Sequence, residues 1–209
     1  PGISDPFPDP EASLPAALST LLKRSAARHD HLCPRQVLGV RMALAGFTAL
    51  GLEAPICEKN VLVFVETDGC FADGVEVASG ASVGHRTLRV IDLGKIAATF
   101  AEVKSGQAMR LAPLPGVRLR ALEYAPEMKR RYYAQLHGYQ VMPDQELFSF
   151  QAVELTPALK AVISTPEFRL TCARCGEEII NERQVVIDGA ITCRSCAGQG
   201  YYRAEFVNY

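Results

Sequence analysis

Four of the seven cysteines stand as two pairs, Cys172-x2-Cys175 and Cys193-x2-Cys196, with seventeen residues between the pairs. This is the ligand spacing of a structural zinc. Each pair fits a tight knuckle turn that aims two thiolates at one ion, and four thiolates complete its tetrahedron. So short a segment cannot build a hydrophobic core, and a bound ion can replace one. Two disulfides are the competing reading. It is disfavoured because disulfide frameworks are small and cysteine-dense throughout, whereas Cys33, Cys57 and Cys70 are scattered through the first third of this chain. Thiols kept as ligands, with an odd total, suit a reducing compartment, so a cytoplasmic protein is expected.

A second group could do chemistry rather than hold structure. His29-x-His31-x-Cys33-Pro34 places three metal ligands or proton carriers within five residues. Alternate residues of an extended stretch point the same way, so all three could face one pocket. A helix is expected to begin at Pro34, and its exposed amides and dipole favour a thiolate or a bound anion there. The bland alternative is two surface histidines beside a buried cysteine. Further on, Asp68-Gly69-Cys70-x-x-Asp73 follows a buried strand and opens a short helix, a position where scaffolds carry binding groups. Cys70 would be a ligand or nucleophile, and Asp68 or Asp73 a ligand or base; an aspartate N-cap beside a small buried cysteine is the alternative. Gly80 through His85 lacks the lysine of a phosphate-binding loop, and its His85 is either a pocket residue or a solvated loop histidine; Lys95 after Gly94 could meet an anionic substrate group but reads better as an exposed lysine at a strand start. His137 is placed at a helix end, where a cation suits the dipole, and Cys57 is read as inert.

The elements that must position these groups follow from periodicity. Leu14, Ala17, Leu18, Leu21 and Leu22 recur at helical spacing from Ser13, the expected N-cap, to about Arg28. A helix apolar on most sides is expected from Pro34 to about Leu50, stopping at Gly51. Val61 to Val65 is a β-branched run and predicts a buried strand. A helix is expected from about Phe71 to Ala78, and strands over 86–92, 97–103 and 107–111. One long helix is expected over 117–137, interrupted at Pro126, then a turn over 143–150 and an edge strand over 152–155. Residues 1–12 read as an irregular arm and 156–166 as a linker. Helices first and strands in groups predict an α+β fold, N-terminal helices packed on a mainly antiparallel sheet. The expected domains are 1–165, the core with the His/Cys cleft, and 166–209, a zinc-ribbon-like unit.

Composition narrows the partners. Apolar residues are 48% and charged residues 22%, so a folded core is expected. Lys plus Arg is 22 and Asp plus Glu 23, a formal charge of −1, which gives no global attraction to nucleic acid or anionic lipid. The segment from Pro166 carries five Arg against six acidic residues, and four thiolates on zinc add further negative charge, so a nucleic-acid role is not expected. No apolar run is long enough to span a bilayer. The opening Pro1-Gly2-Ile3-Ser4-Asp5-Pro6 does not read as a signal peptide, and the missing initial Met leaves the native start open.

These blocks together resemble the FmdE family, which takes its name from formylmethanofuran dehydrogenase. His29-Asp30-His31-Leu32-Cys33-Pro34 with Gly39 looks like its first block, Glu66 through Val75 with Ser79-Gly80 and Gly84 its second, and Asp92-Leu93-Gly94-Lys95 with Thr99-Phe100 and Ser105-Gly106 its third. The two cysteine knuckles look like the zinc domain of many members. The resemblance covers roughly residues 15–112 and 168–200, with 113–165 following in order and length. It implies an α+β core with a cleft lined by the His and Cys blocks, a zinc domain and a homodimer. This chain has Asp30 and Arg35 where the family usually has glycine, Ala81 where it often has cysteine, and His85 where it often has lysine. Asp30 and Arg35 add charge near the expected cleft.

Two functions are expected from these residues. In the first, a second zinc bound by His29 or His31 with Cys33 or Cys70 (His31, Cys33 and Cys70 being the candidate ligands), and keeping one open position, acts on a small carbonyl compound by hydrolysis or decarboxylation, with Asp68 or Asp73 moving protons. In the second, the same cleft is a non-catalytic carrier of a metal or oxyanion for a molybdenum or tungsten enzyme. A metal-free nucleophilic Cys70 activated by histidine is a third, weaker idea.

Overall fold

The computed structural model describes residues 14–55, 59–156, 159–163 and 167–202. The irregular arm, Ser13 and Cys57 lie outside the described residues. The chain divides into two units, Pro1–Leu155 and Thr156–Tyr209.

In the first unit, α1 (Ala16–Ala26) buries Leu18, Leu21 and Leu22 on one stripe, as its spacing predicts. α2 (Pro34–Ala49) is the core helix: Val37, Val40, Met42 and Ala43 are fully buried. Pro34 opens it where a missing N–H costs nothing. Around it run β1 (Val61–Val65), α3 (Cys70–Ser79), β2 (Leu88–Val90), β3 (Ala98–Glu102) and β4 (Ala108–Pro113). Then come α4 (Val117–Arg120), α5 (Arg131–Val141), α6 (Asp144–Leu147) and β5 (Phe148–Ala152). The strands form one sheet in the order β2-β1-β3-β4-β5. Only the β1–β2 pair is parallel, so the sheet is mainly antiparallel. One apolar cluster joins α1, α2 and α3 to the inner face of the sheet, with Phe47 of α2 meeting Phe100 of β3 edge to face at 5.7 Å. The fold is α+β, as its order of elements predicts.

α2 and α3 touch through backbone. A Cβ added at Gly39 would lie 2.3 Å from the Phe71 carbonyl oxygen, and one added at Gly74 would lie 2.4 Å from that of Gln36. Two facing glycines thus let the helices cross at a separation no side chain allows, and the crossing sets the start of α3 beside the start of α2.

Three expectations about the second half are corrected. The helix over 117–137 is interrupted around Pro126, as expected, but far more widely than a kink: α4 and α5 are separate helices with turns between them. Pro126 sits in that break, where its ring and missing N–H stop a helix from continuing. His137 therefore lies inside α5, not at its dipole end. The edge strand is β5, Phe148–Ala152, reached directly from α6 and not starting at residue 152.

The second unit holds α7 (Leu159–Val162), the pair β6 (Arg169–Thr171) and β7 (Glu178–Ile180), the pair β8 (Val185–Ile187) and β9 (Ala190–Thr192), and a helical turn at Ser195–Gln199. Of its described residues only Cys172, Ile179 and Thr192 are buried. Among the described residues of the chain, no helix is long and apolar enough to cross a membrane.

Candidate functional site

Each strand pair of the second unit ends in a knuckle. Cys172 follows β6, and its N–H donates to the Glu177 carbonyl at 2.9 Å while its carbonyl accepts from Gly176 at 3.0 Å. Gly176 closes that turn at a φ of 75°, a region open to glycine. Cys193 follows β9, and the Ala173 N–H donates to Ile191 of that strand at 2.8 Å, which holds the two knuckles together. The sulfurs of Cys172, Cys175, Cys193 and Cys196 all lie within 4.8 Å of one another, the Cys175 and Cys193 pair at 3.9 Å. A zinc with four sulfurs at about 2.3 Å has tetrahedral edges of about 3.8 Å. The donor set, the spacing and the near absence of a core all fit one structural zinc.

The backbone also prepares these sulfurs. The Cys193 N–H points at the Cys172 sulfur at 3.2 Å, and the Cys196 N–H at the Cys193 sulfur at 3.4 Å. Amides of Cys175 and Cys193 bring the Cys172 thiol down to about 6. Contact with Cys193, then burial, pushes Cys196 up to about 12, and Cys175 is raised as well. Near pH 7, zinc loading is therefore expected to release protons from Cys196 and Cys175 but little from Cys172, and affinity should fall as pH falls. The fall steepens below about pH 6, where Cys172 also takes up a proton. Calorimetric titration of the apoprotein in buffers of different ionisation enthalpy reads this directly; loading without proton release would contradict it.

A different arrangement lies at the starts of α2 and α3. Cys33 is the N-cap of α2. The buried amide of Gln36 takes the Cys33 N–H on its oxygen at 2.8 Å and donates to the Ser25 carbonyl of α1 at 2.8 Å, so one side chain fixes the whole turn between the helices. Cys70 is the first residue of α3. His31, Cys33 and Cys70 line one cavity of about 420 Å³. α5 makes the facing wall with Tyr132, Gln135 and Tyr139, spaced i, i+3 and i+7 on one helix face. Arg35 of α2 and Arg118 of α4 complete the polar part of the lining.

Cys70 stands in contrast to Cys172. Burial, and then the neighbouring Cys33, push the Cys70 thiol up. Burial and the neighbouring Cys33 likewise raise the Tyr132 phenol, which stays a donor at neutral pH. A raised Cys70 is a poor free nucleophile, which counts against metal-free attack. Adjacent sulfurs with an imidazole in the same cavity are a soft donor set that suits zinc.

Other expected site residues lie elsewhere. Residues 27–31 form a turn, so the alternation assumed for His29, His31 and Cys33 is broken. The His29 Nε2 is 2.7 Å from Asp73 Oδ2, and Arg28 bridges Asp73 and Glu76 at 3.4 and 3.1 Å. His29 and Asp73 thus pair beside α3, and neither lines the cavity. Asp68 is exposed in the turn before α3 and is not in the lining. His85 is an exposed loop residue whose Nδ1 meets Ser82 Oγ at 3.0 Å. Among the described residues, the four knuckle cysteines are the only group of three or more ligands drawn together tightly enough to hold an ion as they stand. Gln36, Arg118, Tyr132 and Gln135 escape a reading of the sequence by residue type. Only Gln36 carries a local signal, since Cys33-x-x-Gln36 has capping-box spacing.

Residues 28–171 match the family described as FmdE, molybdenum formylmethanofuran dehydrogenase operon. The chain belongs to the FmdE family. Residues 166–201 match the prokaryotic dksA/traR C4-type zinc finger, in agreement with the four-cysteine geometry. A probable S-adenosyl-L-methionine-binding protein of Archaeoglobus fulgidus is 30% identical over 213 aligned residues, which take in 91% of this chain. The chain spans 56% of that relative's length. The fold is similar to that of a crystal structure from Syntrophus aciditrophicus, described as an FmdE-like protein of the tungsten formylmethanofuran dehydrogenase type. That similarity has a TM-score of 0.57 at 16% identity and covers 89% of this chain and 95% of the other.

Proposed function

We propose that this FmdE-family chain carries a metal-assisted cleft that acts on a small carbonyl compound, separate in role from its structural zinc. The observation that supports the reading is the convergence of His31, Cys33 and Cys70 on one cavity. Those three residues would hold a zinc, which would supply Lewis acidity to a carbonyl oxygen or activate a water. Tyr132 keeps its proton and can donate a hydrogen bond to an oxygen that gains charge. Gln135 stands on the same wall as a further donor. His29 and Asp73 brace the turn that presents His31. The homodimer stays part of the proposal, and exposed Val83, Val90, Ile91 and Leu93 offer apolar surface for it.

The test is a metal count on protein purified without chelator. Two zincs per chain are expected. His31→Ala or Cys70→Ser should each remove one and abolish turnover, leaving the knuckle zinc in place. One zinc before and after both changes would reject the proposal.

Two observations favour other uses of the same cavity. The family's operon description supports a carrier of a metal or oxyanion, which would bind molybdate at micromolar concentration and turn over nothing. The A. fulgidus relative's description supports binding of S-adenosyl-L-methionine. Among the described residues, no carboxylate lines the cavity to meet that ligand's amino group or ribose hydroxyls. Titration with each compound separates the three.

A further inference from the structure

Two arginines of the first unit, Arg41 and Arg110, are tied down. Arg41 makes four hydrogen bonds, and Arg110 holds Glu66 through two at 2.6 and 2.7 Å. Arg35 and Arg118 differ. Both are exposed and line the cavity of the two thiols, and among the described residues neither has a hydrogen-bond or ion-pair partner. Among the described residues, no acidic one lines that cavity. Two unpaired guanidiniums, from different helices, therefore share a space with nothing anionic in it.

A second hollow, of about 310 Å³, adjoins the first. Leu38, Ile96, Arg118 and Tyr139 belong to both linings. Its remaining described lining is Pro113, Leu114, Gly116 and Val117, so that among the described residues Arg118 is its one charged group. A polar chamber with two cations thus opens beside an apolar one, and Arg118 stands where they meet. Water gains little in such an apolar hollow, whereas a hydrocarbon group gains the area it buries. Guanidiniums bind carboxylates in a two-pronged fashion that also fixes orientation.

We propose that the cleft takes a small carboxylic acid bearing an apolar group, with its carboxylate between Arg35 and Arg118 and its apolar group in the hollow lined by Leu114, Val117 and Tyr139. This rests on reading the cavity as the active cleft, and it names the class of compound. The acid's carbonyl would then lie on the side of Cys33 and Cys70. Arg118 selects for the charge and marks the boundary between the two chambers.

The experiment is calorimetric titration of the full chain with phenylpyruvate, its methyl ester, pyruvate and phenyl phosphate. Phenylpyruvate is expected to bind at least about tenfold more tightly than its ester, because a charge-assisted pair is lost in the ester. It should also bind about tenfold more tightly than pyruvate, which leaves the hollow empty. Arg35→Met and Arg118→Met should each weaken phenylpyruvate by about tenfold or more without lowering the melting temperature, since both side chains are exposed and unpaired. Equal binding of acid and ester, equal binding of pyruvate and phenylpyruvate, or unchanged affinity in both arginine variants would overturn the proposal. Phenyl phosphate binding more tightly than phenylpyruvate would overturn the choice of a carboxylate. Repeating the titration on Cys70→Ser separates this from the metal reading. Retained binding there, with an unchanged zinc count, would sink the metal and leave the acid site standing.

Discussion

Cys172→Ser in the full chain is expected to lose the structural zinc and with it the folded state of the second unit. Its described residues bury only Cys172, Ile179 and Thr192, and each of its strands has three residues. Such ladders do not hold alone. Structural zinc in comparable small domains contributes an apparent free energy of about 10–16 kcal/mol near neutral pH, roughly the whole stability of a unit this size. Cys172 is the severest choice among the four ligands. It is the most buried, it accepts the Cys193 N–H, and its thiol is the one that backbone amides bring down. Metal analysis should show one zinc fewer per chain, and limited proteolysis should cut within 167–202 while the first unit resists. Retention of that zinc, or protection of the second unit without it, would show that packing and not the ion holds the knuckles.

Gly39→Ala should be the most damaging single methyl in the first unit. The new carbon would sit 2.3 Å from the Phe71 carbonyl and 2.9 Å from the Val75 nitrogen, and both are backbone atoms that cannot swing aside. α2 and α3 must part instead. Overpacking of a tight core costs about 1–3 kcal/mol and occasionally more, and this contact belongs at the upper end. A melting temperature lower by roughly 10 °C follows for a domain of this size. The same separation moves Cys70 away from Cys33, so metal or ligand affinity at the cleft should drop together with stability. Gly84→Ala is the control. A Cβ there meets nothing within 4 Å, and the change should leave melting within error of the parent. Equal melting of the two variants would refute the backbone contact.

What can be read from the amino acids alone divides along physical lines. The zinc knuckles are legible because ligand spacing is local: two residues between cysteines set the turn whatever surrounds it. α2 and β1 are legible because burial imposes its period on a continuous run. The cleft is half legible. His31, Cys33 and Cys70 announce themselves by residue type, but His29 groups with them in sequence only because its partner, Asp73, lies 44 residues away and pulls it aside. The far wall is hidden for another reason. Tyr132, Gln135 and Tyr139 occupy the face of a helix, and such a pattern reads as ordinary packing until the opposing thiols are in place. Arg118 is hidden within a stretch that promises a long helix, and the break around Pro126 is what leaves α4 free to carry it to the cavity.

The grip of Arg41 has a consequence for that cavity. From α2, its guanidinium donates to the carbonyls of Tyr139, Gln140 and Met142 at the end of α5 and to Asp144 beyond it. The terminal carbonyls of a helix attract a cation, and this one is largely shielded from solvent. The strut holds the tyrosine wall at a set width from α2, the helix that Cys33 caps. A compound entering there meets a shape settled in advance, so the entropy that a loose cleft would surrender on closing has already been surrendered when the chain folds.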